Sequence, residues 1–221
     1  MKRKIKKICA VFVIIVLLPY IITIFMNGKS IEANQDGKNG YIKVKTESGT
    51  KEVPLKEYCI GTLAKEISVD FEEEALKAQA VIVRTTIYKK IEEQGEKAVM
   101  TERFFTKSDM KNQWGRSAFQ KIYKKLERVW NETDGQVVMY NGQLAMVPFH
   151  QLSNGKTRIG KEVLGTDEYP YLQMKECPKD VEADGQMESK LIKAAGAQIT
   201  SQDSAGYVTG VKVGEETLNG E

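Results

Sequence analysis

Hydrophobic and polar positions follow three different rhythms along this chain. From Ile8 to Met26 there is no alternation at all: ICAVFVIIVLLPYIITIFM runs for 19 residues without a charge. A helix of that length extends about 28 Å, close to the thickness of a bilayer's hydrocarbon core, and it lacks the polar stripe of a globular core helix. The stretch NGKSIEANQDGKNG, rich in Gly, Asn and charge, follows as a tether. A period of two then begins. Tyr41, Lys43 and Lys45 alternate with Ile42, Val44 and Thr46, and Glu-Ser-Gly-Thr leads into a second short strand, which predicts a hairpin.

Helical periodicity takes over next. A first helix is expected from about Leu55 to Glu66, and a longer one from Glu72 to about Gln94, where Leu76, Ala80, Val83, Ile87 and Ile91 form one apolar stripe. Three glutamates suit its positive end, Lys89 and Lys90 its negative end, and Gly95 its stop. A third helix, about Arg116 to Glu132, carries Phe119, Ile122, Tyr123 and Leu126 at helical spacing. Beyond it the pattern returns to strands. QVVMYNGQLAMVPFH centres on Asn141-Gly142, a strong hairpin signal, and YVTGVKVGEETL is strand-like. Helices in the first half and strands in the second predict an α+β class, with the helices packed on a mainly antiparallel sheet and one N-terminal transmembrane helix ahead of them.

Charge sharpens this division. The net charge is +3, yet Lys2, Arg3, Lys4, Lys6 and Lys7 precede the apolar run, with no acidic residue among the first 26; without those five the remainder is slightly acidic. That removes the electrostatic case for nucleic acid. The basic cluster is expected to stay in the cytoplasm and everything after Met26 to lie outside. The competing reading is a cleaved signal peptide, but the run is long for one and ends in FMNGKS instead of a small-residue site. The expected organisation is a cytoplasmic tail (1–7), an anchor (8–26), a linker (27–40) and one extracytoplasmic domain (41–221). Cys59 and Cys177 are the two cysteines outside the anchor, and both are expected as unpaired, buried thiols.

Two long stretches carry a family likeness. VPLKEYCIGTLAKEISVDFEEEALKAQAVIVRT holds a strand, a helix, a glutamate and then a helix opening with Glu74 to Ala80 and ending in Arg84-Thr85. TDGQVVMYNGQLAMVPFHQLSNGKTRIGKEVLGTDEYPYLQ holds a hairpin, Phe149-His150, a polar loop with Thr157, and a closing Pro-Tyr-Leu. In this order they resemble the stage II sporulation protein D family (SpoIID/LytB), with agreement from about Val53 to Glu221. Three departures stand out. The family's glutamate is commonly followed by Met-Pro, here by Ile67-Ser68; its loop glycine pair is Asn154-Gly155; and the chain stops at LNGE, where the family continues, so either a truncated sequence or a shortened protein is expected.

The resemblance implies a lytic transglycosylase that cuts the bond between N-acetylmuramic acid and N-acetylglucosamine in peptidoglycan, during sporulation, at the engulfing membrane, on strands already stripped of stem peptides. It implies a cell-wall amidase and other sporulation membrane proteins as partners. Glu66 matches the family's catalytic glutamate, and its neighbours Leu63, Ala64, Ile67, Val69 and Phe71 suit a carboxyl kept protonated. Lys77 and Arg84, seven apart and so on one helix face, are expected to meet the carboxyl and acetamido groups of muramic acid; for Lys77, pairing with nearby glutamates is an equal reading. Gln79 is expected to bond to backbone. His150, Ser153 and Tyr171 are expected at the sugar, with orientation of its loop as the other reading of His150; Trp114 and Tyr169 join Tyr171 as candidate stacking surfaces, half-buried core being the commoner fate of such residues. No cofactor is expected. Zinc, reported for some family members, wants closely paired Cys or His ligands, and Cys59, His150 and Cys177 are widely separated. Two rivals stand beside this reading: a non-catalytic glycan-binding or amidase-enhancing module, and a hydrolase using Glu66 with Asp70.

Overall fold

The computed structural model describes residues 40–47, 49–95, 98–183 and 196–220. The expected tail, anchor and most of the linker lie outside these residues. Among the described residues no helix is long and apolar enough to cross a membrane. The chain divides into two compact units, meeting in sequence at Val147 and Pro148.

The first unit opens with the hairpin of β1 (Tyr41–Thr46) and β2 (Gly49–Pro54), paired antiparallel from Tyr41 opposite Pro54 to Thr46 opposite Gly49. The period-two pattern has the expected consequence. Ile42 and Val44 are buried, whereas Tyr41 is exposed. The chain passes directly into α1 (Leu55–Glu66), then α2 (Glu73–Gln94), and returns to the hairpin as β3 (Val99–Met100), which lies parallel to β1. The resulting order β2-β1-β3 puts Ile42, Val44 and Met100 into the same core as the helices. Leu76, Ala80, Val83 and Ile87 of the predicted stripe are buried there, and Ile91 packs at the edge.

The third helix begins earlier than its apolar pattern suggests. α3 spans Lys107–Glu132 and contains a kink at Gly115, whose φ of 75° and ψ of 157° are not helical. The piece before the kink is mostly polar, so hydrophobic spacing does not reveal it. A capping box does: Thr106 Oγ1 accepts from the Asp109 N–H at 3.2 Å while the Asp109 carboxylate accepts from the Thr106 N–H at 2.9 Å. After α3 comes the short hairpin β4 (Met139–Tyr140) and β5 (Gln143–Leu144), turned by Asn141 at φ 50° and Gly142 at φ 79°, as a type I′ turn needs.

The second unit contains α4 (Gly160–Leu164), a 3₁₀ turn at Pro178–Glu182, and the antiparallel meander β6 (Ala197–Gln202), β7 (Val208–Val213) and β8 (Glu216–Asn219). Polar staples organise it. Arg158 pairs with Asp203, whose other oxygen caps the N–H groups of Ala205 and Tyr207, and Glu162 accepts from Ser204 Oγ at 2.8 Å. The class is α+β, as expected. The described strands make three small sheets, and the one packed on the helices is mainly antiparallel, with the short β3 added parallel to β1.

Candidate active site

Glu66 is the last residue of α1, where the backbone turns extended at Ile67 (φ −130°, ψ 142°). A carboxylate here lies at the negative end of the helix dipole, which disfavours its charge. The side chain is half-buried and its pKa is raised. Burial is the largest cause, the bond from Gln79 opposes it, and the nearby charge of Glu102 adds to it. Gln79 Nε2 donates to Glu66 Oε2 at 2.7 Å, and Gln79 itself is only 2% exposed. This corrects the expectation that Gln79 serves the backbone. Its amide fixes the orientation of the carboxyl instead.

Glu66 opens onto a cavity of about 30 Å³, lined also by Tyr58, Thr62, Val83, Thr86, Ile87, Lys90, Met100 and Glu102. That is room for about one water among polar partners. Glu102 reaches this wall by a route no local pattern reveals. Gly61 has no side chain to hold the segment after β3 away. A Cβ there would stand 2.4 Å from the Phe105 carbonyl oxygen, and the Phe105 N–H donates to the Gly61 oxygen at 3.1 Å. Backbone therefore docks on backbone, and residues 101–105 run against α1. Glu102 is held as an anion: Lys90 Nζ donates to Oε1 at 2.7 Å and the Thr101 N–H to Oε2 at 3.1 Å. Burial alone would push its carboxyl up, but the Lys90 bond and these backbone donors outweigh that and hold it below the ordinary range.

Beyond Glu66 the chain lines a second opening. An open cleft of about 640 Å³ runs between Val69-Asp70 and one face of α3 carrying Ala118, Lys121, Ile122, Lys124, Lys125 and Arg128. The four cations sit at i, i+3, i+4 and i+7, hence on one side of the helix. Lys125 Nζ donates to the Val69 oxygen at 2.8 Å and Arg128 pairs with Glu73 at 2.5 Å, while Lys121 and Lys124 are exposed. Asp70 belongs to this cleft and Glu66 to the small cavity, so the two do not line a common space.

The two cations on α2 have other occupations. Lys77 bonds Glu74 at 2.9 Å and Glu132 at 3.0 Å, with Glu73 at 3.8 Å, and those bonds push its ammonium pKa up. The glutamate-pairing reading is the one its geometry matches. Arg84 departs further from expectation. It is 1% exposed, with its guanidinium carbon 3.9 Å from the centre of the Trp130 ring. Nη1 donates to the Thr133 oxygen at 2.7 Å and the Gln136 oxygen at 3.3 Å, and Nη2 to the Trp130 oxygen at 2.8 Å. Arg84 thus closes the C-terminal end of α3, where carbonyls lack helical partners and a cation suits the dipole. Nothing of it faces solvent for a sugar to touch.

His150, Ser153 and Tyr171 belong to the second unit. His150 is exposed, and the bonds from Ser153 hold Asp180 below the ordinary carboxylate range. Ser153 is buried, and its Oγ and N–H both donate to Asp180 Oδ2, at 2.6 and 2.9 Å. It anchors the loop. Tyr171 is half-buried and stacks edge-on to Tyr169 with ring centres 6.2 Å apart. Trp114 packs at the edge of the first unit's core. Cys59 is fully buried and its thiol is pushed up to about 12 by that burial; Cys177 is half-buried, and both are free.

Residues 43–140 match the family model described as Stage II sporulation protein (SpoIID). Among curated proteins, the chain is 30% identical over 180 residues to Stage II sporulation protein D of Bacillus subtilis (strain 168), covering 74% of this chain and 52% of that protein. It is 29% identical over 189 residues to Stage II sporulation protein D of Bacillus amyloliquefaciens, covering 76% of this chain and 54% of that protein. The chain spans about half the length of the curated relatives it matches.

Proposed function

The chain belongs to the stage II sporulation protein D family, and from that premise we propose that it is a sporulation-associated lytic transglycosylase acting on peptidoglycan glycan strands. The observation that carries this reading is Glu66: a half-buried carboxyl with raised pKa, oriented by Gln79, at a helix end and opening onto the small cavity. Burial favours the protonated form of this carboxyl, the form a general acid needs. In the proposed step the Glu66 O–H protonates the glycosidic oxygen as the bond to C1 breaks. The C6 hydroxyl of the same muramic acid then attacks C1, its proton passes to the Glu66 carboxylate, and a 1,6-anhydro ring closes. No water-activating carboxylate is consumed. The test is digestion of peptide-free glycan strands by the full chain, with product masses read out. Anhydro ends support the reading; reducing ends assign a hydrolase, and no cleavage leaves a binding or amidase-enhancing module.

The strand is proposed to lie along the cationic cleft. Removing stem peptides leaves a lactyl carboxylate on each muramic acid, so a stripped strand is a regular polyanion, and Lys121 and Lys124 face the cleft with their charges exposed. Replacing both by glutamate should weaken binding to stripped strands by about tenfold or more at low salt, with the deficit shrinking as salt rises. Co-sedimentation with purified strands measures it. Equal binding by the double variant and the parent at every salt concentration refutes this placement.

The proposed location is a membrane with the folded units outside the cytoplasm, supported by the uncharged 8–26 run and its basic flank. Mass measurement of native protein extracted from membranes should find the N-terminal peptide attached. A soluble form beginning near Gly28 is the contrary result. A cell-wall amidase that strips the strands is the proposed partner, testable by co-purification from sporulating cells; its absence from the recovered proteins would count against it.

A further inference from the structure

Two carboxylates open onto one small cavity, and they are treated in opposite ways. Glu66 is held by a neutral amide and Glu102 by a cation, and neither the family likeness nor any local pattern singles out Glu102. Placing a fixed anion beside an acid is a direct way to keep that acid protonated, since two neighbouring carboxylates resist sharing a second negative charge. The anchoring is specific. Glu102 is bound by Lys90 from α2, by the Thr101 N–H from its own segment, and lies 3.4 Å from the Tyr58 hydroxyl of α1. Gly61 sets the approach of that segment.

We propose that Glu102, fixed by Lys90, is a positioning residue for the reaction: its negative charge keeps the proton on Glu66 until a substrate oxygen takes it. This rests on Glu66 being the proton donor. The groups around Glu66 on the elements packed there are Tyr58 from α1, Gln79 and Lys90 from α2, and Glu102 itself. Tyr58 is neutral, because burial pushes its phenol up. On its own helix, Lys65 stands over the Phe105 ring at 4.7 Å, and Asp70 lines the cleft. The local balance is therefore between Glu102 and Lys90.

The two residues predict shifts of opposite sign. With glutamate side chains labelled at the carboxyl carbon, the full chain is titrated by NMR, the Glu66 signal being assigned by its loss in Glu66→Gln. Its midpoint should fall in Glu102→Gln, where the anion is gone, and rise in Lys90→Met, where the anion is no longer balanced. The alkaline limb of the pH–rate profile should move the same way in each variant, so Glu102→Gln loses activity several-fold near neutral pH and recovers it at lower pH. A merely structural residue would lower activity at all pH values and leave the midpoint in place. If Glu102→Gln fails to fold, Lys90→Met and Glu102→Asp carry the test, the latter keeping the midpoint close to the parent's. A midpoint unmoved in Lys90→Met, or moving the same way in both charge variants, overturns the proposal. The titration needs no turnover, so a chain that cuts no glycan would defeat the catalytic reading without touching this measurement.

Discussion

Glu66→Gln should reduce turnover on stripped glycan strands by at least about a hundredfold, the usual worth of a general acid, while leaving strand binding intact. Glutamine keeps the shape of the protonated acid and its bond to Gln79 but has no proton to give. The same substitution should also act on stability. Because the folded-state pKa of Glu66 is raised, the folded protein holds this proton over a pH window in which the unfolded chain has already released it. The contribution of Glu66 to stability is therefore fully present below the ordinary carboxylate pKa and is lost as pH rises through the raised value, beyond which a half-buried anion persists. Glu66→Gln removes that penalty, so it should melt at or above the parent at neutral pH, with the gap closing in acid. Thermal melts across pH measure this on the preparation used for turnover. Undiminished cleavage in the variant would remove Glu66 from the mechanism, and a lower melting temperature at neutral pH would contradict the assigned burial cost.

Local elements were legible wherever one physical pattern dominated. The period of two placed Ile42 and Val44 inward, the α2 stripe named Leu76, Ala80, Val83 and Ile87, and Asn141-Gly142 marked its hairpin. The apolar neighbours of Glu66 pointed to a partly buried carboxyl, and its side chain is half-buried with a raised pKa. What the sequence did not disclose depends on contacts across 10 to 50 residues. The Gln79–Glu66 bond spans 13 positions and the Lys90–Glu102 bond 12. The parallel return of β3 beside β1 brings Glu102 to the cavity, and nothing in the string TERFF announces it. Gly61, inside a helix, reads as a weak helix former until the Phe105 backbone is seen against it. The early start of α3 was missed because Lys107 to Trp114 carries little apolar periodicity, although Thr106 and Asp109 spell a capping box.

Arg84→Ala should destabilise the first unit by several kcal/mol, since it leaves buried carbonyls without their donor at about 1–3 kcal/mol each. A helix-face arginine at the end of the run that carries the family likeness invites a substrate role, yet both its Nη atoms are committed to backbone. Three carbonyls at the end of α3, those of Trp130, Thr133 and Gln136, take its hydrogens, and the Trp130 ring covers its face. Each bond from a charged donor is worth roughly 1.5–3 kcal/mol. The desolvation of the guanidinium, which lowers its pKa and leaves Nε without an acceptor among the described residues, offsets part of that sum. Arg84→Lys should recover little, because a single ammonium cannot bridge three carbonyls and stack flat on the indole. Denaturant unfolding followed by tryptophan emission suits the test, since Trp114 and Trp130 are the chain's two tryptophans and one of them lies under Arg84. A residue serving the substrate alone would behave otherwise. Arg84→Lys would then unfold with the parent and raise KM, and that pair of results would return Arg84 to the binding surface.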